Sequence, residues 1–103
     1  MDVLYVNNDH VVEITRLRDA DGQLLTGATV QAVLYENGSD VEVAGVTWPL
    51  ALVYDASRQS YIGELSNSVG VVHNGRYQMK LSAEYAGKRY EILRIVQAER
   101  RYS

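Results

Sequence analysis

Turn-forming residues break this chain at short, fairly even intervals, and that spacing limits the fold more than any other feature. "VNND" at 6–9, "DADG" at 19–22, "ENGSD" at 36–40, "DASRQS" at 55–60, "HNG" at 73–75 and "AGK" at 86–88 divide it into segments rich in Val, Ile, Leu, Thr and Tyr. Such segments have the length of strands, and strands at this spacing predict an all-β sandwich or barrel. At 103 residues the chain suits one domain, taken as 1–103, with no room for a second core. No linker or internal repeat interrupts it.

Alternation within the segments assigns the faces. In 77–85, Tyr77, Met79, Leu81, Ala83 and Tyr85 point one way and Gln78, Lys80, Ser82 and Glu84 the other. That pattern predicts an antiparallel strand with one wet face. The inner sets elsewhere are Val30, Ala32 and Leu34; Trp48, Leu50, Leu52 and Tyr54; and Tyr61, Gly63 and Leu65. Pro49 cannot donate to a ladder, so its strand is an edge or begins just after it. Val12 and Ile14 point inward while Leu17 falls out of phase, which predicts a bulge near Thr15.

Segment 89–98, "RYEILRIVQA", reads two ways. As a helix it has good formers and no Gly or Pro. As a strand it follows the hairpin signal "YAGK", and the strand is preferred. It then carries apolar residues on both faces, with Tyr90, Ile92 and Val96 opposite Leu93 and Ile95. A small sandwich covers one face of each strand. One set therefore meets water, which makes Tyr90, Ile92, Leu93, Arg94, Ile95 and Val96 a candidate interface for a protein partner or a homo-oligomer. Arg94, Arg100 and Arg101 are expected near its rim.

"HNGRYQM" resembles the tyrosine corner of immunoglobulin-like sandwiches, in which a tyrosine at a strand entry bonds back to the chain just upstream. The resemblance implies that Gly75 permits the turn, Tyr77 anchors the corner, and Met79 holds the core position that antibody domains give to cysteine. The chain departs from the pattern in having no cysteine pair, and in placing His73 where an acidic residue is usual. The expected fold is an immunoglobulin-like antiparallel β-sandwich of about seven strands. A second stretch, "LRDADGQLLTGATVQAVLY", is similar to small β-sandwich modules of bacterial surface proteins and of bacteriophage structural genes. A "Y-x-G-x-L" strand at Tyr61, Gly63 and Leu65 and a "G-x-Y" strand follow in the order of the phage set. That resemblance implies a structural or attachment protein of a phage virion or prophage.

Chemistry is sparse. Absence of cysteine excludes disulfides, thiol catalysis and Cys-ligated zinc. His10 and His73 show no metal-ligand spacing and are expected at a strand edge and in a turn. Asp19 and Asp21 in "DADG" could supply oxygens to calcium, but no distal glutamate follows, so a simple turn is expected. No nucleophile or phosphate-loop motif is present, and neither an enzyme nor a cofactor is expected. A formal charge of −3 disfavours nucleic acid. No apolar run is long enough to span a bilayer, and "MDVLYVNNDH" lacks the layout of a signal peptide, so synthesis and folding in the cytoplasm are expected. The alternative function is a carbohydrate-binding module using Trp48 and Tyr54 as a stacking platform.

Overall fold

The computed structural model describes residues 2–100. Within them the chain is all-β, with seven strands and no helix. The strands are β1 (Asp2–Tyr5), β2 (His10–Thr15), β3 (Thr29–Glu36), β4 (Leu50–Asp55), β5 (Ser60–Leu65), β6 (Arg76–Tyr85) and β7 (Lys88–Glu99). They form one continuous sheet in the order β1-β7-β6-β3-β4-β5-β2. The sheet curls until its end strands, β1 and β2, face each other across a cleft.

Strand β4 makes the turn between the two halves. Its first residues, Leu50 to Leu52, pair with β3, and its last, Val53 to Asp55, pair with β5. β4 begins directly after Pro49, where the missing N–H is harmless. All neighbours pair antiparallel except one. β1 runs parallel to β7, with Asp2 beside Val96 and Tyr5 beside Glu99. The expectation of a wholly antiparallel sheet fails there, because nothing in a four-residue strand reveals its distant partner.

The inner sets of β3 and β5 and the residues Val12 and Ile14 are buried as their alternation requires. Tyr85 is the exception on β6: at 43% exposure it lies beyond the covered part of the sheet. Leu17 regains the inner side without a bulge. β2 ends at Thr15, and Arg16 takes a left-handed φ of 52° while its N–H donates to the Gln59 carbonyl at 2.9 Å. That reversal resets the phase. The long connections also feed the core, since Leu25, Val43, Val69 and Val71 are all buried although none lies in a strand.

Candidate functional site

β7 is a strand, and its surroundings differ along its length. Ala86 and Gly87, at φ 52° and 76°, form a two-residue loop between Tyr85 and Lys88. Both central residues at positive φ is the condition for the hairpin turn that matches strand twist. β6 then covers one side of β7 throughout, from Tyr85 opposite Lys88 to Arg76 opposite Gln97. On the other side β1 reaches only Val96 to Glu99. Among the described residues, no strand pairs with the outer side of β7 from Lys88 to Ile95.

Backbone bonds near the end of β7 show which residues turn outward. Ala98 uses both its groups toward the β6 side, donating to Gly75 and accepting from Asn74, while the Glu99 carbonyl accepts from Val6 on the β1 side. Even-numbered residues therefore bond to β6. Arg89, Glu91 and Leu93 turn their N–H and C=O groups to the free edge.

The side chains sort by the same parity. Val96 and Ala98 are buried, and Tyr90 is half-buried against the core. Ile92 shares their face yet stays 40% exposed, while Leu93 and Ile95 face outward at 64% and 41%. The two-faced pattern in the sequence thus leaves Leu93 and Ile95 exposed on the outer face and Ile92 half-exposed on the opposite one. On the outer face, Arg89 pairs with Glu91 at 3.1 Å and Glu84 at 3.9 Å, and Lys80 with Glu91 at 3.5 Å. Exposed pairs like these add little stability but fix the charge pattern of the face.

Arg94 is not at the rim of that outer face. It shares the inner face with Val96 and lines the cleft between the sheet ends, of about 270 Å³, with Glu13, Val12 and Met79. Arg100 is exposed beyond β7, and Arg101 lies outside the described residues.

The corner residues meet as a unit. The Val72 N–H donates to the Tyr77 hydroxyl at 2.9 Å, five residues upstream. Gly75 serves the corner differently from the sequence expectation. The left-handed residue of this turn is Asn74, at φ 67°, and the Gly75 N–H closes the turn onto the Val72 carbonyl. What requires glycine is the tyrosine ring, which lies so close that a Cβ on Gly75 would come within 2.7 Å of the hydroxyl and 2.9 Å of the ring edge. Met79 is buried in the core. Replacing Tyr77 with Phe strands one backbone N–H and should cost about 1–2 kcal/mol. Urea unfolding of the two proteins checks this, and an unchanged midpoint would remove the corner bond from the stability of the fold.

Trp48 and Tyr54 both pack against the core. The Trp48 indole N–H donates to the Val43 carbonyl at 2.7 Å, and its half-buried ring packs on the core. Tyr54 instead tilts against Tyr61, with ring centres 5.1 Å apart. Tyr61 is the polar anchor that the alternation marked only as an inward position. It is 2% exposed; its hydroxyl donates to the Leu25 carbonyl at 2.9 Å and accepts the Ala28 N–H at 3.0 Å. A "Y-x-G" strand signal says nothing of partners 33 and 36 residues away.

The polar candidates are engaged in backbone support. Asp19 Oδ1 accepts the N–H groups of Asp21 and Gln23 and so closes its own turn. His10 Nε2 accepts the Tyr5 N–H at 2.8 Å, and His73 Nδ1 accepts the Arg100 N–H at 3.0 Å. Asp55 holds the β4–β5 turn; the Ser57 hydroxyl above all, against an opposing effect of desolvation and with help from the Arg58 and Ser57 amides and the Arg58 charge, keeps its carboxyl below the usual range. Among the described residues no group of three His, Asp or Glu side chains could hold a metal ion, and no helix is long and apolar enough to cross a membrane.

No protein-family model matches the chain, and no curated protein matches it.

Proposed function

We propose that the protein is a non-catalytic structural or attachment component that acts by binding protein through β7. The observation that carries this is the coincidence, on one strand, of three exposed aliphatic residues with an edge that no described strand pairs: Ile92, Leu93 and Ile95 on the stretch from Lys88 to Ile95. Exposed apolar side chains beside free backbone groups are what protein partners cover. An immunoglobulin-like sandwich is the fold we propose. Support comes from the strand order, which sets β7, β6 and β3 together and β4, β5 and β2 together, and from the bond between Val72 and Tyr77. The parallel β1 is accommodated as an edge addition to the first group.

The setting we propose is a phage virion or prophage product, on the strength of the motif order from "DADGQLLTGATV" through "Y-x-G-x-L" to "G-x-Y". Capsid or tail genes on either side of the coding sequence would support that setting, and metabolic neighbours would count against it.

The contact itself is tested by Leu93→Glu together with Ile95→Glu. Both side chains point outward, so the double variant should fold and melt like the parent while losing its assembly in sedimentation. A parent chain that stays monomeric at high concentration removes self-association. A double variant that assembles like the parent moves the contact away from this face.

A further inference from the structure

The outer face of β3, β6 and β7 carries four apolar side chains around Lys80 and Gln78. Val33, Lys80 and Leu93 stand side by side in one row, and Tyr35, Gln78 and Ile95 in the next. Leu93 and Ile95 are exposed, while Val33 and Tyr35 are half-buried on the side away from the core residues Ala32 and Leu34. We propose that a second copy of the chain stacks on this face, sheet against sheet, with the two-fold axis crossing the strands between those two rows. This rests on β7 being the contact strand, and it names the partner and how it docks.

A two-fold axis between stacked faces runs along the strands or across them, and the charges on β6 discriminate. An axis along β6 brings Lys80 close to Lys80 of the copy. One between β6 and β7 sets Leu93 on Lys80, and one along β7 leaves Val33 and Tyr35 uncovered. Across the strands, an axis at the Lys80 row again opposes Lys80 to itself. An axis at the Gln78 row sets Lys80 on Arg76, and one between Ser82 and Lys80 sets Leu93 on Glu91. Opposed like charges repel, and a charge covered by an apolar group loses its water.

The axis between the two rows avoids all of these. Leu93 meets Ile95 of the copy and Val33 meets Tyr35, each twice by symmetry, so apolar surface covers apolar surface. Lys80 meets Gln78, whose side-chain carbonyl can accept from the ammonium, and it keeps Glu91 of its own chain at 3.5 Å. Stacked sheets cross at about 30°, so the two rows beside the axis keep these partners and the outer rows shift sideways. β1 does not obstruct the copy. It lies within the same sheet beside Val96 to Glu99, and its exposed Val3, level with Gln97, extends the face. Four strands over about seven residues give a face of about 19 Å by about 24 Å, and side-chain relief brings the pair of faces to the low end of specific interfaces.

Gln78 reads the arrangement, because it lies on the outer face of β6, a strand away from the edge of β7. Gln78→Glu sets a carboxylate against the Lys80 ammonium at two symmetric places. It should tighten the dimer about tenfold in sedimentation equilibrium. Gln78→Lys opposes two pairs of ammonium groups and should weaken the dimer about tenfold. Adding Lys80→Gln should cancel the gain from Gln78→Glu, and raised salt should shrink it. Circular dichroism and melting of dilute, monomeric samples should match the parent.

If both Gln78 variants associate like the parent while Leu93→Glu with Ile95→Glu dissolves the assembly, the face-to-face stacking is wrong and the β7 contact stands. Weakening by both Gln78 variants would put that residue against a group other than Lys80 and overturn the axis. A parent chain that is monomeric throughout overturns the proposal outright.

Discussion

Gly45→Ala is expected to be among the most destabilising single substitutions in the chain, at about 2–5 kcal/mol. Gly45 sits at φ 99°, and a Cβ there would lie far inside van der Waals contact distance of the Ser68 carbonyl oxygen. The two loops meeting at this point are tied by Gly70 N–H to the Ala44 carbonyl at 2.8 Å and by the Ser68 hydroxyl to the Gly45 carbonyl at 2.9 Å. They carry Val43 on one side and Val69 and Val71 on the other, all buried. Forcing the loops apart would break both bonds and loosen three core side chains. Gly38→Ala is the control. Its φ is 76°, but nothing lies within 4 Å of the added Cβ. It should lose only the left-handed penalty of about 1–2 kcal/mol. Thermal melts of the two variants separate the collision from the backbone strain, and equal losses would show that the loop contact contributes nothing.

Tyr61→Phe is expected to cost about 2–4 kcal/mol, more than the same change at Tyr77. The ring would remain in place against Tyr54, so little cavity forms. The loss is polar: the Leu25 carbonyl and the Ala28 N–H, both satisfied by one hydroxyl, would be left without their partner. Tyr77 accepts a single bond, from Val72. Urea unfolding should rank the two variants in that order. Faster hydrogen exchange at the Ala28 amide in Tyr61→Phe would place the effect in the 25–28 connection. A Tyr61→Phe protein as stable as its parent would mean that water replaces the hydroxyl at both groups.

Local pattern was sufficient wherever a residue's environment depends on its own strand. The period of two in 77–85 identified β6 and its inner face through Ala83, and "YAGK" identified the hairpin that makes 88–99 a strand. The two-sided apolar character of β7 was likewise legible, because exposure of one face follows from the thickness of a sheet. Which face is exposed, and over what length, was not legible. β2 lies over the inner side near Val96 and Met79 but leaves Ile92 half uncovered, and β1 stops at Val96. Both limits are set by strands more than 70 residues away in sequence.

The same division holds for the glycines and tyrosines. Composition marks them as turn and strand residues. Only the folded chain assigns Gly75 to the Tyr77 ring, Gly45 to the Ser68 carbonyl, and Tyr61 to two backbone groups of a distant connection. The sequence by itself determined an all-β chain, most of its strands and their inward residues, since alternation and turn chemistry act within a few residues. The tertiary structure alone decided the parallel placement of β1, the burial of Leu25, Val43, Val69 and Val71, and the edge of β7 that no described strand covers. Those depend on which segments meet, and that is settled by the packing of the whole sheet rather than by any stretch of it.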